Sequence, residues 1–225
     1  MLKQLVILTL SVLMLCSVGE ARKKKAKAGT VKDSVYVDND YGLKMAVPEE
    51  GWKPSIHKGD TPARLTLLLE DFKADAHMSQ ALVKSPSDLF KNVPAIQLWV
   101  IESPVPPNDL LDSLLLDKSD SKLKGPLFEF LQPNYSEATF QKTKGGAYAK
   151  SNAAMLEGYS WQGSFEYKDI DFGFEVSVGA GLLCLKADDK HCVLFIAKSD
   201  PELIKVCYDR STELAGTLKW TSAGE

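Results

Sequence analysis

From Val35 onward the chain is written in short runs of alternating apolar and polar residues, broken by turn residues. Val35-Tyr36-Val37, the turn Asp38-Asn39-Asp40, and Tyr41 to Val47 spell a β-hairpin, with Leu43, Met45 and Val47 alternating against Lys44 and Ala46. Pro48 cannot donate to a sheet ladder, so the strand ends there. Glu49-Glu50-Gly51 turns the chain, and Trp52 re-enters the core. Arg64–Glu70 and Ile96–Glu102 read as strands. Residues 73–93 fit no single period, short helical turns near 74–82 and 87–92 being the best local reading. Pro106-Pro107-Asn108-Asp109 opens a helix whose Leu110, Leu111, Leu114 and Leu115 form one apolar stripe.

Residues 117–135 read mostly as connection, with an apolar docking segment at 127–131. Tyr159, Trp161, Phe165 and Tyr167 then alternate with polar neighbours, the mark of a half-buried strand. Phe172, Phe174, Val176 and Val178 repeat the pattern. Gly179-Ala180-Gly181 reads as a turn. Leu182–Ala187 and Cys192–Ala197 flank Asp188-Asp189-Lys190 as a further hairpin, whose second strand is apolar throughout and therefore central. Near the end, Asp200 is the expected N-cap of a helix with Pro201 at its first position and Gly216 at its close. Leu203, Ile204, Cys207, Ser211 and Leu214 line one face of it, and 217–221 is expected to add a short strand ending at Trp220. This order predicts an α+β class, a single-domain sandwich with a central, mainly antiparallel sheet flanked by helices over residues 33–221.

The first residues change the picture. A short basic start, an apolar run from Leu5 to Val18 and the small residues around Ala21 match a secretory signal peptide over residues 1–21. The run is shorter than the roughly 20 apolar residues that span a bilayer. Lipid attachment at Cys16 is disfavoured because Leu15 before it is large. Arg22, Lys23, Lys24, Lys25, Lys27 and Lys32 follow as a basic leash (residues 22–32) too polar to fold. From Asp33 onward 20 Lys and Arg face 29 Asp and Glu, a net charge of −9. An acidic body on a basic leash points to export, to periplasm or extracellular space, with weak electrostatic contact between Arg22–Lys27 and an anionic membrane surface. It disfavours nucleic acid as a partner.

Three cysteines lie beyond the leader. Cys184 and Cys192 flank the 188–190 turn at nearly the same level and are the expected disulfide if the loop is odd in length, with Cys207 left free. An even loop would set Cys184 opposite Val193, and a Cys192–Cys207 link fits the strand and helix lengths less well. With His191 these cysteines could supply four metal ligands, but their spacing is wrong for a structural zinc site. His57 and His77 read as surface or loop residues.

Other chemistry is matched only superficially. Gly158-Tyr159-Ser160-Trp161-Gln162-Gly163 has one residue too many for a nucleophile elbow and lies on a strand. Gly179-Ala180-Gly181 lacks the third glycine and the following helix of a dinucleotide loop. The acid pairs Glu49-Glu50, Asp169/Asp171 and Asp188-Asp189 sit in or beside turns. Trp52, Trp99, Trp161 and Trp220 are expected in the core. No enzyme, cofactor or metal is expected.

The stretch YGLKMAVPEEGW (41–52) resembles the strand–Pro–turn–Gly–Trp opening of the PsbP-like family, which includes photosystem extrinsic subunits, a Ran-binding nuclear import factor and bacterial exported proteins such as DcrB. LWVIESPVPPNDLLDSLL (98–115) and HCVLFIAKSDPELIKVCYDRSTELAGTLKW (191–220) resemble it in the same way. The resemblance implies an α/β/α sandwich over residues 33–221 and no particular activity, because a fold carries none by itself. The leader has no plant-type targeting features, which sets a photosystem role aside. The function expected is a non-enzymatic binding or accessory module of the bacterial cell envelope. The alternative is a small-molecule carrier with a pocket between sheet and helices, lined by aromatic residues such as Trp161 and Phe165.

Overall fold

The β-rich reading resolves into two antiparallel sheets rather than one. The computed structural model describes residues 29–59, 61–70, 92–115, 123–133, 138–170, 173 and 175–221. The small sheet contains β1 (Thr30–Lys32), β2 (Val35–Asp38), β3 (Leu43–Ala46) and β11 (Lys219–Trp220), in the order β1-β2-β3-β11. The large sheet holds β4 (Trp52–Ile56), β5 (Ala63–Leu69), β6 (Ala95–Glu102), β7 (Ala138–Ala153), β8 (Leu156–Asp169), β9 (Glu175–Lys186) and β10 (His191–Ser199). Its spatial order is β4-β5-β6-β10-β9-β8-β7. Three helices accompany them among the described residues: α1 (Pro107–Leu115), α2 (Lys124–Leu131) and α3 (Ile204–Gly216). None is long and apolar enough to cross a membrane.

Strand β10 shows why the sequence runs apolar without a break. Val193, Phe195 and Ala197 face one core, with Leu65, Leu67 and Leu98 of the large sheet, Tyr36, Leu43 and Met45 of the small sheet, and Cys207 and Leu214 of α3. Leu194 and Ile196 face the other, with Trp99, Trp161, Phe165, the four leucines of α1 and Leu127 and Leu131 of α2. A strand covered on both sides needs no polar face. The leucine stripe of α1 is buried as its spacing requires.

Four expectations give way. Gly179-Ala180-Gly181 is no turn: β9 runs through it, paired with Ser164 to Gln162 on one side and Ser199 to Ala197 on the other. The glycines are there because α3 lies close: a Cβ on Gly181 would stand 2.5 Å from Tyr208 Cδ2, and one on Gly179 2.9 Å from Ile204 Cβ. Asp200 does not cap a helix. Its Oδ1 accepts from the backbone N–H and the side-chain amide of Asn92, at 2.8 and 3.1 Å, and α3 starts at Ile204. Leu203 is not on the buried face but 38 % exposed. The ordered domain also reaches below residue 33, because Thr30–Lys32 pairs with Val35–Val37. The expected helical turns at 74–82, the signal peptide and His77 lie outside the described residues.

Candidate binding surface

The aromatic residues expected to line an internal pocket are instead packed. Trp161 and Phe165 are 2 % and 0 % exposed, and Phe165 is flanked by Phe128, Phe140 and Trp161 with ring centroids 5.7–5.8 Å apart. Open apolar surface lies elsewhere. A hollow of 630 Å³ separates α3 from the β4–β5 edge of the large sheet, walled by Trp52, Leu69, Pro94, Leu203, Val206 and Cys207. Asp209, Arg210 and Glu213 form its rim.

The local sequence builds this groove directly. Pro54 suits β4 to a sheet edge, where a missing ladder donor costs nothing. One face of α3 is committed to the core through Cys207, Tyr208, Ser211, Leu214 and Ala215. Its helical repeat then carries Leu203 and Val206 outward, Val206 being 70 % exposed. The charges around them are paired among themselves, Lys205 with Asp209 at 2.6 Å and Arg210 with Glu213 at 2.7 Å. At the floor, burial pushes the Cys207 thiol up to about 12, and its Sγ donates to the carbonyls of Lys198 and Ala95 at 3.5 and 3.6 Å. A thiol so held is a packing group and not a nucleophile.

A second cluster joins the two sheets. Asp38 Oδ2 accepts from Arg64 Nε at 2.7 Å and from Tyr36 Oη at 3.1 Å, all three groups being buried. The register shift between Ala63 and Leu65 introduces Arg64 as a bulge residue, and its guanidinium lies 5.2 Å from the centre of the Tyr41 ring. Burial first, and then the Asp38 charge, push the Tyr36 hydroxyl far above its ordinary range. Alongside, His191 Nδ1 lies 2.9 Å from both oxygens of Asp188, and Asp188 also accepts from Trp220 Nε1 at 3.2 Å. The His191 ring is wedged between Tyr41 and Trp220, with centroids 5.7 and 5.6 Å away. His191 and Asp188 thus act as a clasp holding β11 to the β9–β10 turn.

That turn also decides the cysteines. Asp188 Oδ1 accepts from the backbone N–H of Lys190 and of His191, at 2.7 and 2.8 Å, which centres the loop on Asp189. Cys192 therefore pairs with Lys186 and Cys184 with Leu194, two residues out of step. The expected Cys184–Cys192 disulfide is corrected accordingly: Cys184, Cys192 and Cys207 are all free and buried. The two thiols stand diagonally across the strands, in hydrogen-bond contact and not joined. The hydrogen bond to Cys192, then burial, raise the Cys184 thiol. No group of three or more His, Cys, Asp or Glu placed to hold a metal ion occurs among the described residues. The expected surface-attachment residues Arg22, Lys23, Lys24, Lys25 and Lys27, and Cys16, lie outside the described residues.

The groove had no clear signal in the sequence, because Leu203 and Val206 continue the apolar pattern of a helix that also has a buried face. A hint lay in Val206, which falls outside the stripe of Cys207, Ser211 and Leu214.

No family model and no curated protein matches this chain. Among solved structures it is similar to cyanobacterial PsbP (CyanoP) from Synechocystis sp. PCC 6803, at 9 % identity and a TM-score of 0.44, over 91 % of this chain and 99 % of that one. It is also similar to LpqN of Mycobacterium tuberculosis, a protein involved in cell envelope biogenesis, at 12 % identity and a TM-score of 0.38, over 80 % and 83 % of the two chains. Neither likeness speaks to function.

Proposed function

We propose that this protein is an exported, non-enzymatic accessory module of the cell envelope that binds a protein partner across the outward face of α3. The observation that carries the reading is the groove itself: exposed Leu203 and Val206 at the start of α3, beside a 630 Å³ hollow and ringed by charges already paired with each other. An apolar centre with a polar rim is the anatomy of a protein interface. A partner covering it desolvates aliphatic surface without stranding a charge, since each rim charge keeps its own counter-ion. The basic residues Arg22–Lys27 would add a salt-sensitive contact with anionic headgroups, up to about 1 kcal/mol for each charge at the surface.

A photo-reactive amino acid in place of Val206, in cells producing the full-length protein, tests the reading. A discrete cross-linked product at 206 is expected, and none from the same probe at exposed Lys168 on β8. Once identified and purified, the partner should bind Val206→Glu at least tenfold more weakly than the parent. Equal labelling at 206 and 168, or equal affinity for the variant, refutes the groove as the contact.

A further inference from the structure

The face of the large sheet turned toward α1 buries a pair of thiols. Cys192 on β10 sits across from Lys186, and Cys184 on β9 across from Leu194, so the two cysteines are diagonal neighbours. Both belong to the core packed under the leucines of α1. Cys184 donates a hydrogen bond to the Cys192 sulfur, and the two side chains are 0 % and 1 % exposed. A buried cysteine standing alone is a small apolar filler. Cys207 in the other core fits that description, its thiol ending on two backbone carbonyls. The Cys184 thiol ends on a second sulfur instead.

The pair lies close to the surface. Cys192 sits beneath the connection from β6 to α1, its Sγ 4.0 Å from the carbonyl oxygen of Val105, a residue 42 % exposed. One layer of chain therefore screens the sulfur from water on that side. Lys186 stands opposite Cys192 in the ladder and brings a positive charge to the pair. The hydrogen bond from Cys184, against burial and with the help of the Lys186 charge, lowers the Cys192 thiol from its ordinary value. No third metal ligand joins the two sulfurs among the described residues: Cys207 lies in the other core, and His191 is turned to Tyr41 and Trp220. Two sulfurs alone do not complete the four-ligand shell of a structural zinc. They do suit a univalent soft cation, which thiolates select and which needs only two sulfurs in line.

We propose that Cys184 and Cys192 hold one copper(I) ion between their sulfurs. Each sulfur gives its proton to solvent and gains a bond to the metal, so one ion releases two protons and nothing is oxidised or reduced. The filled site carries one net negative charge, which neighbouring Lys186 offsets. The inference goes beyond the α3 groove and does not rest on it, because the thiols lie on the opposite face of the large sheet.

The test titrates the purified, reduced protein, kept free of oxygen, with copper(I) in competition with a chromophoric copper(I) chelator. One equivalent should be taken up, and X-ray absorption should find sulfur alone as the nearest neighbour of the metal. Silver(I), which has the same preference and no redox chemistry of its own here, should compete for the site. In protein labelled with ¹³C at the cysteine β-carbons, the resonances of Cys184 and Cys192 should move on loading while that of Cys207 stays, a readout that needs no core variant to fold. Cys184→Ala and Cys192→Ala should each weaken binding by about a hundredfold or more, and Cys207→Ala should leave it unchanged. The proposal is overturned if the chelator keeps all the copper, or if oxygen or nitrogen surrounds the metal. It is also overturned if Cys207 is the residue that responds, or if Cys184 and Cys192 prove to be joined to each other in the protein as secreted.

Discussion

The two faces of the large sheet each bury a cation, and they keep it in opposite ways. Toward the small sheet, Arg64 meets a carboxylate, with Asp38 2.7 Å away and both side chains almost wholly enclosed. Toward α1 and α2, Lys198 is equally enclosed, but its Nζ donates to the backbone carbonyls of Phe130 and Gln132, at 3.0 and 2.6 Å. Those carbonyls sit at the end of α2, where the helix dipole is negative. One face thus sets a carboxylate against its cation, and the other lays two carbonyls of a helix end against its own. The difference shows in titration: burial brings the Lys198 amine down to about 8. The Lys198 amine therefore stays within reach of pH, which the Arg64 guanidinium does not.

Breaking the full pair should cost the most. Arg64→Met leaves the Asp38 carboxylate buried without its cation, and a loss of about 3–5 kcal/mol in urea unfolding is expected. The double variant Asp38→Leu with Arg64→Met should be less damaged than Arg64→Met alone, since it leaves no orphaned charge. If the single variant unfolds at the parental urea midpoint, the pair is not what joins the sheets.

Gly181→Ala probes steric tolerance on the same face. The added methyl would stand 2.5 Å from the Tyr208 ring, so a loss of up to about 3 kcal/mol is expected from overpacking. Gly216→Ala, where nothing lies within 4 Å of the new Cβ, is the control and should be neutral or slightly stabilising.

Lys198 sharpens the comparison through pH. It titrates at about 8 in the fold and at roughly 10.4 in the unfolded chain, so between those values the unfolded chain holds the extra proton. Raising the pH through this window therefore stabilises the fold. Relative to Lys198→Met, which has no such titration, the parent should gain about 2 kcal/mol between pH 7 and 9.5. A pH-independent difference between the two would show that the amine is not held in a low-dielectric site.

The smallest effect belongs to the groove. Val206→Glu replaces an exposed side chain and should change stability by no more than about 0.5 kcal/mol, so any loss of partner binding can be read as contact rather than unfolding.

Elements with strict alternation were legible in the sequence, and so was the central place of β10. What escaped reading did so for local reasons. Strand β4 hides behind Lys53-Pro54-Ser55, an edge that needs no apolar face. Strand β7 is exposed along most of its length, so its side chains carry no period. The turn that joins it to β8 places Ala154 and Met155 at φ of 50° and 65°, where Asn-Gly would have announced a hairpin. The glycines of β9 looked like a break because a helix packed over a strand and a turn both call for a missing Cβ. The cysteine register depended on the Asp188 side chain, which strand pattern alone does not weigh.

Strand β11 gives the small sheet a property in time as well as space. Lys219 and Trp220 pair with Lys44 and Leu43, nearly the whole chain earlier, and Thr221 reaches back to Gly42. A ribosome lays down the first hairpin long before the residues that seal it. The contacts closing the sheet are of the long-range kind that form slowly, after loop-closure entropy has been overcome. During synthesis the hairpin therefore waits without its outer neighbour. Folding can lock only once the tail has arrived.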